Sequence, residues 1–590
     1  MTRRQERNYR GLPVSSGFAQ GNAFVYRTYV PVVREVVLAP EQIAAEVRRF
    51  RKAVKSAERE LRGLHAHVKR DLGPDFADFI GVQLALLADP DVLVETERFI
   101  AEHGACAEFA YSQSLKRVIA LISESSVPLF RERALDITDV SNRVLRQLLG
   151  DAAPSILEVG PGTVIVAHDL PPSETALLDP SRVVGLVLEA GGKTSHTAIM
   201  AKAKEIPAVM GVGAICDATP AGAPVFVDGY RGLAIINPTA NRLQAYADEI
   251  AQGKRHHETL SLLADEEPVT LNSRVIDLSA NIEFLAEART AKRQGARGIG
   301  LFRTEYMYLA KRRPPTEEEQ YTAYAEVARL FKPYPVIVRT FDLGGDKIVP
   351  GYVESNPFLG FRAIRLMFEH PDLFQAQVRA VLRASAHGNV KMMFPMVTTL
   401  EELRRAKLIV EKARRELRAE GVPFDDDLEV GVMVEIPSAA IMADQLAKEC
   451  SFLSIGSNDL TQYTLAVDRG NQRVAKLFNH FHPAVLYLIK RTIDAAHAQG
   501  IWVGICGEFA SDPLAIVLLL GLGIDELSTS PGCLPEAKSI IRSIDTEVAA
   551  EVATAVMKQS TVLEVQRLLR REVDRRFPKL AASLFEPGER

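Results

Sequence analysis

Cysteine, tryptophan, long apolar runs and charge imbalance are all scarce in this 590-residue chain. The five cysteines, Cys106, Cys216, Cys450, Cys506 and Cys533, are scattered and form no Cys-x-x-Cys. That excludes a disulfide framework and a Cys-based structural zinc site, and it predicts a reducing, cytoplasmic setting. One tryptophan and 7% aromatics predict a core of Leu, Val, Ile and Ala. The longest strongly apolar run, Ala515 to Ile524, falls far short of the ~20 residues of a membrane helix. The opening Met-Thr-Arg-Arg-Gln-Glu-Arg has no apolar core behind it, so no signal peptide and no membrane insertion are expected. Lys and Arg number 71 against 75 Asp and Glu, a net charge of −4, which gives no reason to expect nucleic acid as a partner. What is present, 47% hydrophobic and 25% charged residues, is the composition of a folded protein. At about 150 residues per domain, the length predicts about four domains, or fewer with a large barrel.

The patterning changes along the chain. In the first segment, 11–37, residues 11–30 look extended, with turn chemistry in Gly11-Leu-Pro-Val-Ser-Ser-Gly17 and a short strand at Ala23-Phe-Val-Tyr26. Residues 38–149 turn helical: Ile43, Val47, Phe50, Val54, Leu61, Leu64 and Val68 recur at helix-face spacing. Gly73-Pro74, Asp89-Pro90 and Ser123 to Pro128 divide this block into several helices. Residues 150–240 return to short strands, Thr163–Ala167, Val183–Leu188, Pro224–Val227 and Leu233–Ile236, with one helix after His196. Asn241 to Ala264 reads as a polar linker helix ended by Asp265-Glu-Glu-Pro268, giving a linker over 241–268. Residues 269–545 then alternate strand and helix regularly. Eight strands are expected: Val275–Asn281, Gly298–Arg303, Val336–Phe341, Val390–Met396, Glu429–Ile436, Phe452–Ser457, Ile501–Cys506 and Glu526–Ser530. Eight β/α units predict a (β/α)8 barrel with chemistry at the C-terminal strand ends, an open doubly wound sheet being the alternative. A helical tail, 546–590, completes a multidomain α/β chain.

Two groups of residues carry chemistry. The first is Ala190-Gly-Gly-Lys-Thr-Ser-His196-Thr-Ala-Ile-Met-Ala201, which follows a strand and opens a helix. Glycines allow close approach of a ligand, and free N–H groups at a helix start favour an anion. An imidazole flanked by Lys193, Thr194, Ser195 and Thr197 can take and hold a phosphoryl group, or it can simply cap the helix. A Walker A loop is excluded, because Val187 stands where its first glycine belongs.

The second group gathers near expected C-terminal strand ends. Gly298 to Glu305 supplies Arg303, and Val338 to Lys347 supplies Arg339 and Lys347. Asn356 to Arg362 adds Arg362, Val432 to Pro437 supplies Glu435, and Ser454 to Asp459 supplies Asn458 and Asp459, with Arg469 downstream. Arginine forks match carboxylate and phosphate bidentately, and two carboxylates can hold one Mg2+ that also touches phosphate. These are the parts phosphoryl transfer needs. Any one of them alone reads as a surface ion pair. Cys506, at the end of the seventh strand, reads either as a small buried residue or as a proton donor.

The histidine string closely resembles the phosphohistidine motif of the phosphoenolpyruvate-utilising family, and the barrel strings resemble the same family in the same order, over Gly11 to Pro578. Three features bring the layout closest to the enzyme I branch of the bacterial sugar phosphotransferase system. The helical block precedes the histidine motif, no long ATP-grasp-like region does, and nothing like a GAF domain precedes Gly11.

The resemblance implies an N-terminal phosphohistidine α/β domain with an inserted helical bundle, a linker helix and a C-terminal TIM barrel. It implies His196 as the phosphorylated residue, Arg303, Arg339, Arg362 and Arg469 with Asn458 and Lys347 on phosphoenolpyruvate, Glu435 and Asp459 on Mg2+, and Cys506 as the proton donor. It further implies transfer from phosphoenolpyruvate through His196 to a histidine of the phosphocarrier HPr, docked at the helical block, with release of pyruvate as the first step of sugar uptake. A homodimer through the barrel is also implied. The alternatives are a nucleotide-dependent pyruvate-phosphorylating relative and a non-catalytic regulatory one. Lys193 and Lys202 stand where members often carry Arg.

Overall fold

The computed structural model describes residues 6–15, 17–27, 31, 33–71, 74–123, 128–150, 156, 159–171, 174–175, 177–191, 196–204, 206–244, 260, 262–311, 313–344, 354, 356–469, 471, 473–578 and 580–581. The chain divides into two units, Met1–Lys254 and Arg255–Arg590.

The first unit is organised by a sheet covered on both faces. Thr163-Val-Ile-Val-Ala167 (β4) is buried throughout. Val164 and Val166 pack into one core, Ile165 and Ala167 into another, and so the run needs no polar alternation. With β1 (Arg7–Arg10), β2 (Leu12–Ser15), β3 (Phe18–Tyr26), β5 (Val183–Leu188), β6 (Ala208–Met210), β7 (Pro224–Asp228) and β8 (Leu233–Ile236), it forms an eight-stranded sheet of order β1-β8-β7-β3-β4-β5-β6-β2. β3 to β6 run parallel. β1, β2 and β6 are additional to the strands the sequence predicts. They are three or four residues long, and pairing such as Arg7 with Ile236 makes them, not local pattern.

The helical block enters this sheet between β3 and β4, which are neighbours. Its helices are α1 (Ile43–Asp71), α2 (Pro74–Leu87), α3 (Pro90–His103), α4 (Ala107–Ser123) and α5 (Pro128–Leu149). α1 buries Phe50, Leu61, Leu64 and Val68 at the spacing read from sequence. Each expected break falls between two helices, although residues 72–73 and 124–127 lie outside the described residues. At one break the chemistry is complete: Asp89 accepts the Asp91 N–H at 3.0 Å, and Pro90 takes the first helical position. Glu46 ties α1 to α4 by accepting the Ala107 N–H at 2.7 Å while it pairs with Arg49 at 2.6 Å.

The second unit contains a closed, all-parallel barrel of eight strands: β9 (Asp277–Ile282), β10 (Ile299–Phe302), β11 (Val336–Arg339), β12 (Val390–Phe394), β13 (Val430–Val434), β14 (Phe452–Gly456), β15 (Trp502–Cys506) and β16 (Glu526–Thr529). Alternation along each strand sorts its side chains. Val336 and Val338, Val432 and Val434, Leu453 and Ile455, and Val503 and Ile505 face the surrounding helices. Leu301, Ile337, Met393, Met433, Phe452 and Cys506 fill the lumen.

The tail is part of this core. Ala549, Val552 and Val556 of helix Thr546–Val556, and Val565, Leu569 and Val573 of helix Val562–Arg576, are buried in the barrel's main cluster.

Residues 245–259 and 261 of the expected linker helix lie outside the described residues. Leu262 to Asp265 form turns, where the sequence predicts helix up to Ala264. The Ala264 carbonyl is held from outside, accepting from Lys538 Nζ at 2.6 Å.

Candidate functional site

Parallel strands of a closed barrel all end on one rim, and that brings six distant segments together. Arg339 ends β11 and Cys506 ends β15, both facing inward. Arg303 follows β10, Glu435 follows β13, and Asn458 and Asp459 lie in the helix after β14. Arg362 reaches the rim from the segment after β11.

The arginines are pinned by carboxylates in an alternating chain. Arg303 Nη1 meets Glu283 Oε1 at 3.0 Å. Arg339 Nη2 donates to Glu305 Oε1 at 2.9 Å and lies 3.3 Å from Asp342 Oδ2. Arg362 donates to both Asp342 oxygens, at 2.7 and 2.8 Å, and to Asp459 Oδ2 at 2.7 Å. Arg469 Nη2 stands 3.8 Å from Asp459 Oδ1. Arg339, Arg362, Glu305, Asp342 and Asp459 are all buried, so each fork is held in place before a ligand arrives. Asn458 Oδ1 accepts the Glu508 N–H at 3.3 Å, tying its side chain to the segment after Cys506.

Glu435 Oε1 accepts the Met396 N–H at 2.7 Å. Its pKa is pushed up to about 8, first by burial and then by Asp459 and Asp342, with Arg339 and Arg362 opposing. Asp459 Oδ1 is buried and has no hydrogen-bond partner, while Oδ2 is taken by Arg362. An orphaned carboxylate oxygen beside a second carboxylate raised by crowding fits a divalent cation. Among the described residues no group of three or more His, Cys, Asp or Glu could hold a metal ion. Two carboxylates are nevertheless a usual protein share for Mg2+, which takes its other oxygens from phosphate and water.

Cys506 is buried. Its thiol donates to Ile455 O at 3.6 Å, and its pKa is pushed up to about 12, mainly by burial. Arg339 and Arg303 oppose that rise, and Glu435 adds to it. At neutral pH the group is therefore a thiol, the form that can give a proton.

In the first unit, His196 is the first residue of helix α6 (His196–Ala203), after β5. Its side chain and residues 192–195, including Lys193, Thr194 and Ser195, lie outside the described residues, as does Lys347 in the second unit. The helix start is tied down by Thr197, whose Oγ1 donates to Leu170 O at 3.2 Å and lies 3.4 Å from Thr175 Oγ1.

The structure thus brings Arg303, Arg339, Arg362, Glu435, Asn458, Asp459, Arg469 and Cys506 to one rim and places His196 in the other unit. Sequence reasoning missed the counter-ions Glu283, Glu305 and Asp342, and Tyr463, which accepts from Arg362 Nη1 at 3.1 Å. Glu305 and Asp342 stand two and three residues beyond the arginines singled out. That spacing was the available signal.

Comparison with known proteins gives three family matches in order along the chain: PEP-utilising enzyme, N-terminal, over residues 10–133; PEP-utilising enzyme, mobile domain, over 159–232; and PEP-utilising enzyme, PEP-binding domain, over 257–546. A protein of Bacillus sp. named phosphoenolpyruvate-protein phosphotransferase is 42% identical over 571 residues, covering 96% of this chain and 98% of its own. Proteins of the same name from Haemophilus influenzae and Bacillus subtilis are 39% and 40% identical, each over 98% of their length.

Proposed function

This chain belongs to the PEP-utilising enzyme family, as a transferase, and from that premise we propose that it moves the phosphoryl group of phosphoenolpyruvate to His196 and then to a histidine of the phosphocarrier HPr. The observation that carries this reading is the rim itself: pinned arginines, an orphaned carboxylate oxygen and a protonated buried thiol within one barrel mouth.

Arg303, Arg339, Arg362 and Arg469, with Asn458 and Lys347, hold the carboxylate and phosphate of the substrate. Glu435 and Asp459 would hold Mg2+, which supplies charge neutralisation on the phosphate. Neutral His196 attacks phosphorus in line through Nε2. The N–P bond forms as the P–O bond to the enol oxygen breaks, and that oxygen keeps the electron pair. The enolate collapses to a ketone as its C3 takes the Cys506 proton, giving pyruvate. The phosphoryl group then leaves His196 for the carrier, docked on the helical block.

The setting is cytoplasmic, and no helix among the described residues is long and apolar enough to cross a membrane. A homodimer through the barrel is supported by the exposed Ile441, Met442 and Tyr487, on helices joined by Arg491 donating to Ile441 O.

Incubation with phosphoenolpyruvate labelled in the phosphoryl group, with Mg2+, tests the first step. We expect an acid-labile, base-stable label on the protein that is absent from His196→Ala. A label of that stability persisting in His196→Ala overturns the assignment.

A further inference from the structure

The lumen of the barrel is not uniformly apolar. Leu301, Ile337, Met393, Met433 and Phe452 line one side. On the other side, β14, β15, β16 and β9 turn Ser454, Gly504, Glu526 and Asp277 inward, and these four share one level of the ladder: Ser454 pairs with Gly504, Gly504 with Glu526, and Glu526 with Asp277. Cys506 stands one inward position above Gly504, towards the rim.

Glu526 is buried, and the space for its carboxyl comes from two missing side chains. A Cβ on Gly504 would lie 2.2 Å from Glu526 Oε2, and a Cβ on Gly300 would lie 2.4 Å from Oε1. The carboxyl therefore spans the lumen, with Oε2 over Gly504, the ladder neighbour of Ser454, and Oε1 over Gly300. Oε2 is buried without a hydrogen-bond partner, as is Ser279 Oγ beside it. Ser454 Oγ in turn points at the thiol, 4.0 Å from Cys506 Sγ. Ser528, which pairs with Cys506 one level nearer the rim, is committed to Asn281 Oδ1 at 2.7 Å. Asp277, at the first position of β9, is exposed at the end of the barrel opposite the rim.

We propose that Asp277, Glu526 and Ser454 form an internal proton path that reprotonates Cys506 from the end of the barrel opposite the substrate. This rests on the reading of Cys506 as proton donor. After the thiol has given its proton to C3, the thiolate is left in a buried position, 2% exposed. Ser454 passes its hydroxyl proton to Sγ and takes one from the Glu526 carboxyl. The Glu526 carboxylate recovers a proton from hydronium through Asp277. The net change is one solvent proton taken up per pyruvate formed. Burial pushes the Glu526 pKa up to about 7, with Asp277 adding to the rise and the Ser279 hydroxyl and Lys391 opposing it, so the group can both hold and release a proton near neutrality. Glu526 acts through Cys506 and does not touch substrate. Its contribution is confined to turnovers after the first.

The test is rapid-quench measurement of pyruvate with excess phosphoenolpyruvate, Mg2+ and a purified phosphocarrier. Glu526→Gln keeps the shape of the side chain and removes its proton. We expect a burst of one pyruvate per subunit at the wild-type rate, then a steady state on the order of 10- to 100-fold slower, with thiolate absorbance building in the ultraviolet. Ser454→Ala, which cuts the path but leaves Glu526 in place, gives the same burst and the same thiolate signal, and it serves as the test where Glu526→Gln fails to fold. Steady turnover at the wild-type rate in a folded variant overturns the path. A first turnover slowed as much as the later ones also overturns it, since that is the mark of a structural role. Wild-type protein that releases no pyruvate would instead overturn the proposed function.

Discussion

Glu435 and Glu526 are buried carboxylates in the same barrel, both with raised pKa values, and their surroundings differ in kind. Glu435 stands in a crowd. Asp459 and Asp342 add to the effect of burial, and Arg339 and Arg362 oppose it. Glu526 stands among glycines and hydroxyls, with Asp277 as its acidic neighbour and Lys391 opposing. A crowded carboxylate with an orphaned partner oxygen is relieved by a cation. An isolated one with room around it is relieved by a proton. The barrel thus keeps its divalent chemistry at the rim and its proton chemistry in the lumen, separated by Cys506.

Substitutions can break this contrast at either end. The largest effect is expected from Asp342→Asn, because Asp342 is the counter-ion shared by Arg339 and Arg362. Leaving two buried guanidinium groups short of charge should cost about 3 kcal/mol of stability or more. It should also raise KM for phosphoenolpyruvate more than it lowers kcat, since the forks lose their aim. Thermal melts with steady-state kinetics check both.

Glu435→Gln should lower pyruvate formation by roughly 100- to 1,000-fold, the range for loss of one preorganised electrostatic group. It should do so with little loss of stability in metal-free buffer near neutrality, where the raised pKa already keeps most of the Glu435 carboxyl protonated. Dependence of the melt on added Mg2+, strong in the wild type, should fade.

The smallest effect tests the lumen alone. The folded-state pKa of Glu526 is raised, so its proton stabilises the fold below the ordinary Glu pKa near 4.3, and that contribution is lost as pH rises through about 7. Glu526→Gln carries no such proton. Its stability relative to wild type should improve between pH 5 and pH 8 by roughly 2 kcal/mol, read from denaturant melts at the two pH values. A flat difference would place Glu526 among ordinary exposed carboxylates.

The histidine string was legible because its residues are contiguous. Arg303 and Arg339 were legible because they lie at expected strand ends, and Arg362 and Arg469 because they follow such ends in the strings that resemble the family. Glu305 and Asp342 had only their spacing from Arg303 and Arg339 as a signal, because the pairs Glu305–Arg339 and Asp342–Arg362 join separate segments of the chain. Glu526 illustrates the limit more sharply. Its strand was expected at the right place, but nothing in Glu526-Leu-Ser-Thr-Ser530 says that the first residue turns inward or that Gly300 and Gly504 leave it space. The short strands β1 and β6 escaped for a related reason: their partners, β8 for one and β2 and β5 for the other, supply the order their own residues do not specify.

The position of the helical block has a consequence for how the first unit assembles. β3 and β4 are parallel neighbours, in register from Asn22 with Thr163 to Tyr26 with Ala167, and the chain between them runs through residues 27–162. Closing a loop of that length from an unstructured chain costs about 2 kcal/mol more than closing a crossover of a dozen residues. A folded block shortens the path its ends must search. Assembly in which the bundle forms first and the central strands zip afterwards is therefore the cheaper order. It also makes the block a replaceable cassette: exchanging it for a short crossover helix would leave the sheet its pairing and remove the surface proposed to receive the carrier.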